Sequence, residues 1–140
     1  MSTQAIYSKV NPQKLLHLIF KFNQKSIDKI ERNEITPATT FLQGMCFEIP
    51  EETYFKAHKH NMQERATTQT HEAFLIFKGA IELSIFDTDN TLLEKATLRE
   101  GDCSIILSGG HSFKTLEPTI LYEFKNGPYY GPEKDKTYIE

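Results

Sequence analysis

The chain has 140 residues, of which 39% are hydrophobic and 25% charged, and its formal net charge is −3 at pH 7. This length and composition fit one globular domain with a real core. The weak negative charge and the lack of a basic patch argue against a nucleic-acid partner. No apolar run approaches the ~20 residues that span a bilayer, and the first residues lack a secretion signal, so we expect a cytoplasmic protein.

The first 35 residues carry a helical pattern. Asn11 and Pro12 suit an N-cap and the first position of a helix. The apolar residues that follow at helical spacing are Leu15, Leu16, Ile19 and Phe20. We therefore predict a helical extension over residues 1–35 and a β domain over residues 36–140. His17 is interpreted as an exposed or half-buried helix side chain.

From residue 36 onward the sequence predicts short strands separated by turns. The predicted strands are Phe41–Ile49, Thr53–His60, Glu72–Lys78, Ile81–Phe86, Leu92–Leu98, Cys103–Leu107, His111–Leu116 and Thr119–Lys125. About eight short strands without alternating helices indicate an all-β sandwich or small barrel. Residues 126–132 are too rich in glycine and proline for another strand.

Two histidines in the second predicted strand form a candidate chelate. Residues two apart on a strand point to the same face, so Tyr54, Lys56, His58 and His60 share one face. Two imidazoles a few ångströms apart can bind one divalent metal. On spacing alone, the same pattern also fits two solvent-exposed histidines that bind nothing.

Two further residues are candidate ligands for that metal. Glu72 begins a strand face that is otherwise apolar, where a carboxylate is costly to bury unless it is paired or binds a metal. His111 follows the glycine pair 109–110, where a tight bend can position its ring. Three imidazoles and one carboxylate suit a divalent transition metal such as Fe, Mn, Zn or Ni.

The order of these residues resembles the two sequence motifs of the cupin superfamily. Those motifs combine an HxH pair, a glutamate followed after six residues by glycine, and a later glycine followed by histidine. The corresponding residues here are His58, His60, Glu72, Gly79, Gly101 and His111. The resemblance implies a small antiparallel jelly-roll barrel. It also implies that the HxH pair, Glu72 and His111 hold one metal inside that barrel.

A narrower resemblance is to small single-domain cupins of the WbuC type, which are tied to cell-surface polysaccharide synthesis. It rests on residues 57–72, 109–117 and 122–129, with Asp135 and Lys136. It implies a small polar metabolite, such as a sugar or sugar nucleotide, and isomerase, epimerase or oxygenase chemistry. The alternative is a non-catalytic ligand-binding or regulatory module. Cupins often pair through their sheets, so we expect a homodimer.

The identity of the carboxylate ligand is open between two residues. Eleven residues separate His60 from Glu72, whereas the family motif has three or four. Glu64 has the family spacing but lacks the glycine that should follow. We prefer Glu72, because the start of a strand can face the HxH strand across a longer hairpin, and keep Glu64 as the alternative.

Three residues near the HxH pair are candidate substrate contacts. Arg65 lies in a polar loop and could clamp a carboxylate or phosphate through its planar fork. Tyr54 and Lys56 share the predicted HxH face and could reach into a barrel mouth. Plain solvation explains the two cationic side chains equally well. The sequence alone assigns no catalytic residue.

Overall fold

The computed structural model describes residues 1–23 and 26–140, and their regular secondary structure consists almost entirely of antiparallel strands. The strands are β1 (Ser2–Tyr7), β2 (Leu15–Lys21), β3 (Glu31–Glu34), β4 (Met45–Glu48), β5 (Glu72–Lys78), β6 (Ala80–Phe86), β7 (Leu92–Arg99), β8 (Cys103–Ile106), β9 (Gly110–Thr115) and β10 (Ile120–Lys125). A single turn of helix, α1 (Pro132–Asp135), follows them. The predicted all-β class is confirmed. Within the described ranges, no helix has the length and apolarity to cross a membrane.

The strands form three sheets. A five-stranded sheet has the order β1-β2-β8-β5-β10, a three-stranded sheet has the order β7-β6-β9, and β3 and β4 form a separate hairpin. The side chains between the two larger sheets form one hydrophobic cluster. Its buried members are Ile6, Ile19, Ile76, Ile81, Leu83, Ile85 and Leu98. This alternation of inward apolar residues along facing strands is what a two-layer β fold requires.

A second hydrophobic cluster lies on the other face of the five-stranded sheet. Its buried members are Leu18, Phe20, Ile35, Ala73, Ile105 and Leu107. Partly buried Leu42 and Cys46, from the region of the β3–β4 hairpin, pack against it. Strands β2 and β8 are therefore covered on both faces, which explains their nearly continuous apolar runs, whereas β5 is covered on its second face only near Ala73 and leaves Leu75 and Phe77 exposed.

The predicted helix after Asn11 is wrong. Residues 15–21 form β2, which pairs with β1 on one side and β8 on the other. Asn11 closes a turn instead of capping a helix, since its carbonyl accepts a hydrogen bond from the Lys14 amide at 2.8 Å. The apolar run fits a helical stripe by spacing, but a strand covered on both faces has the same composition. The range 1–35 thus holds three strands and no described helix.

The predicted strand Thr53–His60 is also wrong. Residues 53–70 have no regular secondary structure, and most of them are exposed. Residues 53–60 lack an apolar face that a neighbouring strand could cover, so burial does not stabilise strand pairing in this segment. Of the predicted strand Phe41–Ile49, only Met45–Glu48 pairs. The six strands predicted from Glu72 onward are confirmed, with ends shifted by at most one residue.

Candidate functional site

A row of mutually paired residues crosses the five-stranded sheet and carries three polar side chains. The row runs through Ile6, His17, Ile106, Glu72 and Lys125 on β1, β2, β8, β5 and β10. Directly paired residues of neighbouring strands project to the same face of a sheet. Ile6 belongs to the cluster between the two sheets. The three polar residues therefore face the three-stranded sheet.

His111 comes from that opposite sheet and meets Glu72. It is the second residue of β9, opposite Ile85 of β6. Its Nε2 lies 3.2 Å from Oε2 of Glu72, and its ring packs edge-on against Phe74 at 5.4 Å between ring centres. Burial raises the pKa of Glu72, but the hydrogen bond and charge of His111, together with a side-chain contact from Glu123 and the charge of Lys125, outweigh burial, so the pKa is lowered. Glu72 therefore accepts the hydrogen bond as a carboxylate.

The Glu72–His111 pair lies in the wall of a cavity of about 470 Å³. The other polar side chains that line it are Thr70, Ser108, Ser112, Lys125, Asp135, Lys136, Thr137 and Tyr138. Lys125 Nζ is 3.9 Å from a carboxylate oxygen of Asp135 and lies 4.2 Å above the ring of Tyr129. The volume suits a small metabolite, and the lining offers hydroxyls and charges of both signs.

His17 is a site residue that the sequence analysis missed. It is fully buried, and neither ring nitrogen has a hydrogen-bond partner within the described part of the chain. Its ring centre is 6.5 Å from that of His111. Burial and the nearby His111 lower its pKa to about 3, although a polar contact with the Gly110 backbone, outside hydrogen-bond geometry, acts in the opposite direction. A neutral imidazole with two unsatisfied nitrogens is costly in a core, at about 1–3 kcal/mol per atom.

The structure does not group the predicted histidine pair with Glu72 and His111. His58 and His60 are exposed, with ring centres 5.4 Å apart, and His58 Nδ1 lies 3.0 Å from the carbonyl oxygen of Lys56. Among residues 1–23 and 26–140, no three His, Cys, Asp or Glu side chains are already arranged as metal ligands. Of the four predicted ligands, the structure brings Glu72 and His111 together.

The other predicted contacts lie on the exposed segment. Tyr54 is 83% exposed, and Lys56, Glu64 and Arg65 are exposed as well. His71, the residue before Glu72, is buried. Its Nδ1 accepts a hydrogen bond from the Leu42 amide at 3.3 Å. The structure thus separates the exposed segment 53–70 from the interior pair on β5 and β9.

Residues 135–139 form one wall of the cavity, and Ile139 lies directly against Gly110. A Cβ atom at Gly110 would overlap Cδ1 of Ile139 and press on Phe86. Gly110 immediately precedes His111, so the small residue allows the segment to approach the candidate site. The glycine at this position is explained by close packing of a neighbouring segment.

Replacing Gly110 by alanine should therefore displace Ile139 and lower the free energy of unfolding by about 1–3 kcal/mol. The measurement is urea denaturation of the single variants Gly110→Ala and Ile139→Ala and of the double variant. We expect the double variant to lose less than the sum of the two single losses, because the smaller side chain at 139 accommodates the added methyl group. Strictly additive losses would show that the two residues do not contact each other.

A scan against protein-family models, a search of curated proteins and a search of solved structures each found no match to this chain. The cupin resemblance therefore stays a prediction. The fold and the interior geometry provide the observations on which a functional proposal can stand.

Proposed function

We propose that this chain is a metal-binding protein of the cupin type, with a jelly-roll arrangement of its strands, that acts on a small polar metabolite. A sugar or sugar nucleotide of cell-surface polysaccharide synthesis is the proposed ligand class. The observation that carries the proposal is the Glu72–His111 pair, 3.2 Å apart in the wall of a cavity of about 470 Å³. A buried acid and an imidazole that converge on a pocket are the usual signs of a functional site.

Glu72 and His111 are the residues that would hold the metal. Imidazole nitrogen and carboxylate oxygen are ligands that Fe, Mn, Zn and Ni all accept. The two side chains come from opposite sheets, so the fold fixes their backbones independently. When bound, such a metal supplies Lewis acidity for a hydroxyl or carbonyl group of the metabolite. The unpartnered nitrogens of His17 beside this pair add further nitrogen donors to the same region.

The residues of the cavity have clear roles in this proposal. The Glu72 carboxylate accepts the hydrogen bond from Nε2 of His111 and so fixes the orientation of that ring in the wall of the cavity. Hydroxyl groups of Ser108, Ser112 and Thr137 line the wall and suit the many hydroxyls of a sugar. Lys125, also in the wall, supplies positive charge for a phosphate or carboxylate group.

Metal uptake tests the proposal. Untagged protein should bind about one equivalent of Mn, Fe, Zn or Ni after dialysis, measured by elemental analysis. Glu72→Gln and His111→Ala should each lose the metal, whereas the matched variant Glu64→Gln should keep it because Glu64 is exposed. Less than about 0.1 equivalent of any of these metals in the wild-type protein would overturn the proposal. Loss in Glu64→Gln with retention in Glu72→Gln would move the carboxylate ligand to the segment 53–70.

Turnover separates an enzyme from a binding module. The metal-loaded protein is incubated with a panel of nucleotide sugars, and the products are followed by NMR. Conversion of a nucleotide sugar by the metal-loaded wild-type protein, absent without the metal, supports an enzyme. Binding without conversion would instead favour the non-catalytic ligand-binding module.

A further inference from the structure

His17 lies in the interior of the two-layer fold, where no contact with the described residues explains the presence of a histidine. His17 has no exposed surface, and both of its ring nitrogens lack a hydrogen-bond partner among the described residues. Ser104, on the same face of the neighbouring strand, has a buried hydroxyl that also lacks a partner. Buried polar groups are almost always satisfied, so this unsatisfied region is suited to a bound group.

The register places His17 within reach of both predicted interior ligands. His17 and Glu72 are paired with the same residue, Ile106, from its two sides. Their backbones are therefore two strand spacings apart, roughly 10 Å, with both side chains on the same face. His111 contacts Glu72 at 3.2 Å, and its ring centre is 6.5 Å from that of His17. The three side chains thus converge from β2, β5 and β9.

We propose that His17 is the third ligand of the metal that Glu72 and His111 hold. This inference rests on the proposed function and changes its ligand set, because the ion then lies between the two sheets and not at His58 and His60. Two imidazoles and one carboxylate form a three-residue set that leaves positions open for a substrate. The cavity reaches Glu72 and His111, so those positions face the proposed metabolite.

The side chains must adjust to bind the ion. No three potential ligands in the described ranges are already arranged around a common point. Tetrahedral binding through one nitrogen of each ring at about 2.1 Å places the ring centres roughly 5 Å apart. The His17 and His111 rings, now 6.5 Å apart, must therefore approach each other by between 1 and 2 Å, as estimated from that geometry. The same ion replaces the direct contact between Glu72 and His111.

A leucine at position 17 distinguishes a ligand from a core residue. His17→Leu removes both unsatisfied nitrogens and keeps an apolar side chain between Ile6 and Ile106. We expect this variant to be at least as stable as the wild-type protein without metal. With Zn²⁺ or Co²⁺ it should lose the metal-dependent rise in melting temperature, and its affinity in calorimetric titration should fall more than 100-fold, a larger loss than the 10–100-fold typical of residues that only orient ligands.

The matched control is the double variant His58→Ala, His60→Ala, which should bind Zn²⁺ within about threefold of the wild-type affinity. In the Co²⁺-loaded protein, the visible absorption bands should change in His17→Leu and stay unchanged in the double variant. If His17→Leu fails to fold, the same comparison is made with His17→Gln. Unchanged affinity in the position-17 variants together with loss in the double variant would overturn the inference and leave metal binding in place. No Zn²⁺ or Co²⁺ binding by the wild-type protein would overturn the proposed function itself.

Discussion

Replacing Phe74 by alanine is expected to lower the free energy of unfolding by about 3–5 kcal/mol. The side chain is 1% exposed and is one of the largest that are fully buried. Its ring meets those of His111 and Phe113 edge-on, with ring centres 5.4 and 5.5 Å away. Alanine leaves a cavity between the sheets, because neighbouring strands collapse only partly into the space. The measurement is urea denaturation followed by circular dichroism.

The same strand offers a matched control for Phe74. Phe77 lies on the opposite face of β5 and is 56% exposed, so Phe77→Ala should cost less than about 1 kcal/mol. Since Phe74 also supports the His111 ring, Phe74→Ala should weaken metal binding as well as stability, and Phe74→Leu should restore most of the stability. Equal losses in Phe74→Ala and Phe77→Ala would contradict the assignment of Phe74 to the core.

The strands from Glu72 onward could be predicted because their local signals agree with their tertiary environment. Ile81–Phe86 alternates apolar and polar side chains, and β6 buries its apolar face against the five-stranded sheet. The turn at 87–91 also behaves as its composition predicts. The Asp87 amide donates to the Thr91 carbonyl at 2.8 Å, and Asn90 takes the left-handed conformation with φ 70°.

The position of His17 beside Glu72 and His111 could not be predicted, because the sequence pattern assigned His17 to a helix. On a strand, alternation places His17 with Leu15 and Ile19 on one face, and the register then sets it in line with Glu72. That register depends on β8 lying between β2 and β5, which no local pattern encodes. Glu72 and His111 could be named as candidates because a carboxylate at the head of an apolar strand and a histidine after two glycines are visible locally, and the structure places them 3.2 Å apart.

His58 and His60 were instead predicted to lie on a strand that the structure does not contain. Their period-2 spacing is a local fact, but a strand also needs a neighbour to pair with, and residues 53–70 have none in the structure. Short-range spacing therefore predicted that the two rings lie close together, as they do at 5.4 Å. It could not predict their surroundings, which are exposed and separate from the interior pair.

Asp87 joins two turns that are far apart in sequence. It is 1% exposed, and its carboxylate accepts hydrogen bonds from the Ser8 hydroxyl at 2.6 Å and from the amides of Lys9 and Thr88, both at 2.7 Å. Burial raises the pKa of Asp87, but the bonds from Ser8 and the backbone amides outweigh it and lower the pKa from 3.8 to about 2. The charged carboxylate therefore holds the β1–β2 turn against the β6–β7 turn.

Asp87→Asn is expected to lower the melting temperature by roughly 5–10 °C at pH 7, because the amide group cannot accept all of these hydrogen bonds. The lowered pKa also fixes the pH dependence. The stabilisation is complete above the unfolded pKa of 3.8 and is lost as the pH falls toward about 2, where the folded carboxylate takes up its proton. The melting temperature of the wild-type protein should therefore fall between pH 4 and 2 as this contribution is lost. The melting temperature of Asp87→Asn should fall less over the same interval.

The control for Asp87 lies two residues away in the same turn. Among the residues that the structure describes, Asp89 accepts hydrogen bonds from Thr91 alone, at 3.0 and 2.7 Å, and both contacts are exposed. Asp89→Asn should lower the melting temperature by less than about 3 °C, as expected for a surface substitution. Its melting temperature should fall between pH 4 and 2 as much as that of the wild-type protein. Thermal unfolding by circular dichroism at pH 2, 3, 4, 5 and 7 compares the three proteins. If the melting temperature of Asp87→Asn falls as much as that of the wild-type protein between pH 4 and 2, other carboxylates, and not this link between the two turns, control unfolding in acid.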